Sequence, residues 1–173
     1  MSSEPDGLTL WLIRHAKSDW GSGAGSDHAR PLNARGERDG PRMARWLADQ
    51  DDPAAWIWTS DAARAMATAQ FVAAGFAAAA PELVADRRLY LASPEQLLTV
   101  IRETPAEVRS AALVAHNPGL TQLLNLFSGR PVTDNLPTFG VARFAVPAPW
   151  CELRFGNGHL DVLTSPKRLP PTD

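Results

Sequence analysis

Apolar positions fall along this chain in short dense runs, and several of the runs stop abruptly at a charged or polar residue. The first, Leu8-Thr9-Leu10-Trp11-Leu12-Ile13, is nearly continuous rather than alternating. That pattern predicts a central parallel strand covered on both faces. Shorter runs at 55–58, 82–85 and 111–115 predict further strands of the same kind. Between them the period changes to a helical one. Met43, Trp46 and Leu47 share a face of a helix expected over 37–49, with Asn33 as its candidate cap. Thr59-Ser60-Asp61 precedes an alanine-rich helix over 62–74, and Ser93-Pro94 opens a helix to about 103 that carries Leu97, Leu98 and Ile101. Asn117-Pro118 opens a helix over 120–127. Segments 141–146, 150–155 and 160–164 read as strands, the last two as a hairpin across Gly156-Asn157-Gly158. Residues 1–7 are expected to be a loose terminus and the Pro-rich tail from Ser165 a strap.

Alternating strands and helices predict an α/β fold, a three-layer α/β/α arrangement around a mostly parallel sheet. In such folds sites form where strands deliver residues to the carboxyl edge of the sheet. Arg14-His15 follows the first strand directly, and His116 follows the run 111–115. A single histidine after an apolar run is more often structural than catalytic; the recurrence of the pattern shifts the balance. Arg64 lies in the first turn of the helix after 55–58, where the macrodipole disfavours a cation. A nearby anion would compensate, and a surface pair with Asp61 is the plainer explanation. Right-handed crossovers place Arg14, His15, Arg64 and His116 on one edge. Two arginines and two histidines suit a compact, multiply charged anion such as phosphate.

Composition narrows the reading. The chain has 173 residues, 45% of them hydrophobic, which suits one domain over 1–173 with a core at about 8–165. A formal net charge of -2 gives no basic field for nucleic acid. The lone Cys151 cannot form an internal disulfide, and no Cys/His cluster has zinc spacing. The start, MSSEPDG, lacks signal-peptide character, and the uncharged stretch 65–80 is too short for a bilayer, so no membrane association and a cytoplasmic location are expected. The Gly-rich segment 21–25 lacks dinucleotide-loop spacing and reads as a lid beside the site, with His28 and Arg30 within reach. His159 reads as structural or exposed.

LIRHAKSDW, RPLNARG, TSDAARAMATA, RRLY and VAHNPGL, in this order over about 8–165, resemble the histidine phosphatase superfamily with its phosphoglycerate mutase-like fold. Within it the chain looks most like the SixA-type phosphohistidine phosphatases. The resemblance implies that His15 is the nucleophile and carries a phosphohistidine intermediate, while Arg14, Arg64 and His116 bind the phosphoryl oxygens. It implies no cofactor or metal, the arginines supplying the positive charge. A backbone carbonyl at the second nitrogen of His15 would fix the attacking tautomer. One feature departs from the family pattern. Where mutases and many acid phosphatases carry a Glu or Asp general acid, this chain reads Leu89-Tyr90-Leu91-Ala92. The remaining candidates are Asp19, Asp27 and Asp86, with Glu95 beyond them. An imidazole leaving group, with a conjugate-acid pKa of about 6.5, departs without help that an alkoxide would need. Short connections between the motifs leave no obvious roof over the pocket, which suits a phosphorylated side chain on another protein such as a phosphotransfer domain. The alternatives are a phosphatase for a small phosphorylated metabolite and a phosphate-binding module without turnover. A mutase and a dinucleotide-binding enzyme fit less well.

Overall fold

The computed structural model describes residues 7–170; the predicted loose terminus lies, apart from Gly7, outside the described residues. Eight residues, Gly7–Arg14, form β1. They are followed by α1 (Ala34–Ala48), β2 (Trp56–Thr59), α2 (Ala63–Gly75), β3 (Glu82–Ala85), α3 (Pro94–Ile101), β4 (Ser110–Ala115), α4 (Gly119–Ser128), β5 (Val141–Pro147) and β6 (His159–Thr164). One sheet holds all six strands in the order β3-β2-β4-β1-β5-β6. The first four in that order run parallel; β5 pairs with β1 antiparallel, and β6 pairs with β5 antiparallel. This is a mixed, mostly parallel sheet, as the alternation of strands and helices predicts.

Strand β1 is covered on both faces, as its unbroken apolar run predicts. Leu8, Leu10 and Leu12 point into a core that includes Leu97 and Ile101 of α3 and Leu120, Leu123, Leu124 and Phe127 of α4. Trp11 and Ile13 point the other way, among Met43 and Leu47 of α1 and Ala65, Ala69 and Val72 of α2. The period-2 alternation of a strand thus feeds two separate cores. In β4, Leu113 joins the first core and Val114 the second.

The helix starts follow their local chemistry. The Asn33 side chain accepts from Gly36 N at 2.9 Å and begins α1, three residues earlier than the apolar periodicity alone indicates. Ser93 accepts from Gln96 N, and Pro94 occupies the first turn of α3. The tail behaves as a strap over the second layer. Arg42 of α1 donates to the carbonyls of Pro166, Leu169 and Pro170.

The strand expected over 150–155 does not form. Pro149 leads into a 3₁₀ turn, Trp150–Glu152, and the Trp150 indole donates to the Val108 carbonyl at 2.7 Å. Trp150 and Leu153 are both buried. A spacing of three places side chains on one side of a 3₁₀ turn, so the same apolar positions serve a turn instead of a strand. The antiparallel pair in this region is β5 with β6, not the hairpin expected across Gly156-Asn157-Gly158. Cys151 is exposed in that turn, and His159 is exposed at the start of β6.

The entry to α4 depends on Gly119. A Cβ there would collide with the carbonyl oxygen of Ala92. Gly119→Ala is therefore expected to destabilise the protein by about 1–3 kcal/mol, the usual cost of forcing atoms into packed space. Gly25→Ala, where nothing lies within 4 Å of the added carbon, is expected to leave the urea midpoint nearly unchanged.

Candidate active site

Parallel pairing of β1 with β4 sets Arg14 opposite Ala115, so the residues that follow, His15 and His116, leave the sheet side by side. The His15 N–H donates to the Ala115 carbonyl at 3.2 Å, and the two imidazole rings lie 5.1 Å apart, centroid to centroid. On the other side of β4, the Ser60 N–H after β2 donates to Val114 O at 3.0 Å, which carries the start of α2, and with it Arg64, to the same edge. Thr68 joins the two motifs: it accepts from Ala16 N at 2.9 Å and donates to Arg64 O at 2.8 Å. Arg14, His15, Arg64 and His116 are brought together, with His15 6%, Arg64 2% and His116 2% exposed.

The carbonyl partner expected for His15 is present. Nδ1 lies 2.8 Å from the carbonyl oxygen of its neighbour Ala16. A carbonyl only accepts, so Nδ1 carries the proton and Nε2 keeps its lone pair. Burial pushes the His15 pKa down to about 3; Arg64, Arg14 and Arg30 add to that, against the Ala16 bond, which raises it. The ring is thus neutral throughout the physiological range. His116 is also pushed down to about 3, first by burial and then by His15 and Arg64. Its Nε2 lies 2.7 Å from Ser60 Oγ, which also accepts from Ala62 N. When the Ser60 hydroxyl donates to Nε2, the proton of His116 sits on Nδ1.

That Nδ1 is buried without a partner in the protein, as are Nε of Arg14, Arg30 and Arg64. Buried polar groups without partners are costly, and an oxyanion beside His15 is a ligand that these four could satisfy. Arg14 donates to Leu136 O at 3.0 Å; burial and then Arg64 lower its pKa.

The anion that compensates Arg64 is Asp27, not Asp61. Arg64 donates to the Asp27 carbonyl at 2.7 Å and to its carboxylate at 3.0 Å. Asp27 also accepts from Arg30 at 2.9 Å and from the Tyr90 hydroxyl at 2.5 Å. The Tyr90 hydrogen bond, then those from Arg30 and Arg64, hold the carboxyl well below the usual range and outweigh its partial burial. Burial and the bond to Asp27 raise the Tyr90 pKa. Asp61 is paired with His28 at 2.7 Å and more loosely with Arg87.

A cavity of about 250 Å³ opens over His15, walled by Arg14, Lys17, Ser18, Trp20, Asp27, Arg30, Leu91, Asn117 and Thr138. Arg64 and His116 are not among its walls: Asp27 occupies Arg64, and Tyr90 stands edge-on to His116 at 5.5 Å. Of the two residues thought within reach, Arg30 lines the cavity and His28 does not. Trp20, Gly23 and Ala24 border an adjoining hollow, so the Gly-rich segment does sit beside the site.

The acid candidates separate. Asp27 is the carboxylate in the wall. Asp19 closes a local turn by accepting from Gly21 N at 2.9 Å. Asp86 caps a 3₁₀ turn and is paired with Arg88, which lowers its pKa and also binds Glu103. Glu95 lies in the first turn of α3. Neither these last two nor Asp19 lines the cavity. Ser60 and Tyr90 are the residues whose site roles sequence reasoning missed. Ser60 reads as a cap signal and Tyr90 as part of a motif, and no sequence spacing shows that they touch His116 and Asp27. Among the described residues, no group of three or more His, Cys, Asp or Glu side chains is arranged to hold a metal ion, and no helix is long and apolar enough to cross a membrane.

Two histidines and two arginines gathered at the carboxyl edge of an α/β sheet suit a compact oxyanion, and similarity to known proteins identifies the family. The sequence profile of the histidine phosphatase superfamily, branch 1, matches residues 10–90. An uncharacterized protein of Mycobacterium tuberculosis is 30% identical over 153 residues, covering 83% of this chain and 93% of that one. SixA of Agrobacterium tumefaciens superposes with a TM-score of 0.78 at 26% identity, covering 91% of this chain and 97% of the other. The protein histidine phosphatase SixA complexed with tungstate gives a TM-score of 0.74 at 20% identity, covering 94% of this chain and 100% of that one. The chain belongs to the histidine phosphatase superfamily and is SixA-like within it.

The depressed histidines make a pH prediction. In the unfolded chain each histidine binds a proton below about 6.5, whereas the folded pKa values are about 3. The unfolded state therefore binds more protons between those limits, and stability falls as pH drops through that window. The slope is roughly 1.4 kcal/mol per pH unit per histidine. Urea denaturation across pH 7 to 4 should show it, and His15→Ala should flatten it by one histidine.

Proposed function

We propose that this protein is a phosphatase that works through a phosphohistidine on His15 and removes phosphate from phosphohistidine on another protein. The observation that carries the substrate class is the state of Asp27. It is the one carboxylate in the cavity wall, and Tyr90, Arg30 and Arg64 keep it ionised. A carboxylate held in that form has no proton to give a leaving alkoxide at neutral pH. A site without such an acid suits a leaving group that departs unaided.

In the proposed sequence Nε2 of His15 attacks phosphorus, and the P–N bond to the substrate imidazole breaks. The electron pair goes to the substrate nitrogen. With its other ring nitrogen already protonated, the substrate leaves as neutral imidazole. Arg14, Arg64 and the Nδ1–H of His116 spread the charge of the three phosphoryl oxygens, the role that positioned cations play in phosphoryl transfer. Arg30 lies near enough to assist. The Ala16 carbonyl stabilises the Nδ1–H of the phosphorylated His15 ring. Water then attacks phosphorus, the P–N pair returns to Nε2, and the water's proton leaves to solvent with inorganic phosphate as product.

The SixA neighbours support protein phosphohistidine as substrate, one of them bearing the name protein histidine phosphatase. The small-metabolite reading keeps support from a glucosyl-3-phosphoglycerate phosphatase of mycobacteria, which shares the fold at a TM-score of 0.69 and 15% identity.

His15→Ala is expected to abolish phosphate release and covalent labelling of the chain by phosphate, read by mass spectrometry at neutral pH. Arg64→Ala is expected to cost roughly 3 kcal/mol, on the order of a hundredfold or more in kcat/KM. A series of phosphorylated imidazole, phenols and alcohols should show kcat/KM falling steeply as the leaving-group pKa rises. A flat series would mean that a proton donor works in the pocket and would sink the substrate argument.

A further inference from the structure

The mouth of the cavity is built from residues that the proposed chemistry does not use. Trp20 is 77% exposed and Leu91 is 54% exposed, and both line the cavity that holds His15. Among the described residues the other large exposed hydrophobic is Leu126, on α4 and away from the cavity walls. Single exposed apolar side chains need no explanation, but two of them lining one opening beside His15 do.

Neither side chain is there loosely. The Trp20 ring lies on the guanidinium of Arg30, 3.6 Å from its carbon to the ring centroid. Arg30 is itself buried and held by Asp27 and Ser18. The exposed indole is thus fixed by a cation–π stack on a pinned arginine. Leu91 has a φ of 50°, in the left-handed region that a leucine rarely enters. The third wall residue of this kind is Lys17. It is half-buried, and its ammonium makes no ion pair among the described residues, although it lies beside the same opening.

Size decides what these residues meet. The cavity, about 250 Å³, is smaller than the roughly 300–1,000 Å³ that encloses a whole small-molecule ligand. A cavity of that size admits a phosphoryl group and the ring that carries it, so the rest of a larger substrate would lie outside, beside Trp20, Leu91 and Lys17.

We propose that Trp20, Leu91 and Lys17 form a docking collar for the protein that carries the phosphohistidine: Trp20 and Leu91 pack on aliphatic side chains flanking it, and Lys17 pairs with a neighbouring carboxylate. The collar rests on the reading of protein phosphohistidine as substrate. It assigns to residues outside the chemistry the selection of a partner, the usual division between an apolar anchor and a charge that guides approach.

The test compares kcat/KM for a phosphotransfer domain phosphorylated on its histidine with kcat/KM for free phosphohistidine, in the wild type, Trp20→Ala, Leu91→Gly and Lys17→Gln. Glycine accepts the backbone angle of Leu91, and Trp20 is largely in solvent, so both variants are expected to fold, which circular dichroism and thermal melting check. The ratio of protein-borne to free substrate is expected to fall at least tenfold in Trp20→Ala and in Leu91→Gly. Lys17→Gln is expected to weaken the salt dependence of the protein-borne reaction. A ratio that stays constant, whether both rates fall together or neither changes, would overturn the collar while leaving the phosphohistidine reading intact. A wild type that releases no phosphate from either compound, yet turns over p-nitrophenyl phosphate through His15, would remove the reading and the collar with it.

Discussion

The register between β1 and β4 is the constraint on which the site depends. Leu12 pairs with Leu113, Ile13 with Val114 and Arg14 with Ala115, so both strands end at the same level and each hands over a histidine. A slip of one residue would turn every side chain of β1 to the opposite face, exchanging Leu10 and Leu12 for Trp11 and Ile13 in the two cores. Apolar burial on both faces therefore fixes the register, and the register fixes the 5.1 Å separation of the two imidazoles. The geometry of the candidate site thus follows from the packing of the strands that lead to it.

Around that pair, burial and charge act together. The low pKa of His15 arises first from loss of water and then from the surrounding guanidiniums. Both effects favour the neutral ring, while the Ala16 carbonyl selects which nitrogen is free. The same cations that keep His15 neutral are, in the proposed chemistry, the donors for an incoming phosphoryl group. Asp27 offsets part of their mutual repulsion by bonding Arg30 and Arg64 at once.

Much of this was legible in the chain. The continuous run before Arg14, the Asn33 and Ser93 caps and the run before His116 each carry a local physical signal, and each element formed where that signal lay. Segment 150–155 misled because apolar residues at a spacing of three satisfy a turn as well as a strand, and only Pro149 hinted at the choice. The partner of Arg64 was legible as a need for an anion but not as a residue, since Asp27 lies 37 positions away on a loop without periodicity. Tyr90 and Ser60 are in the same position: their roles arise from tertiary contacts between segments that share no sequence pattern.

Because the Asp27 carboxylate is tethered to the chain, Arg64 is never without a suitor. An anion arriving from solution contends with a rival at a fixed, high effective concentration, as in any intramolecular contest. A weakly held oxyanion loses it. In the proposed chemistry that contest would favour the departure of inorganic phosphate once it has formed.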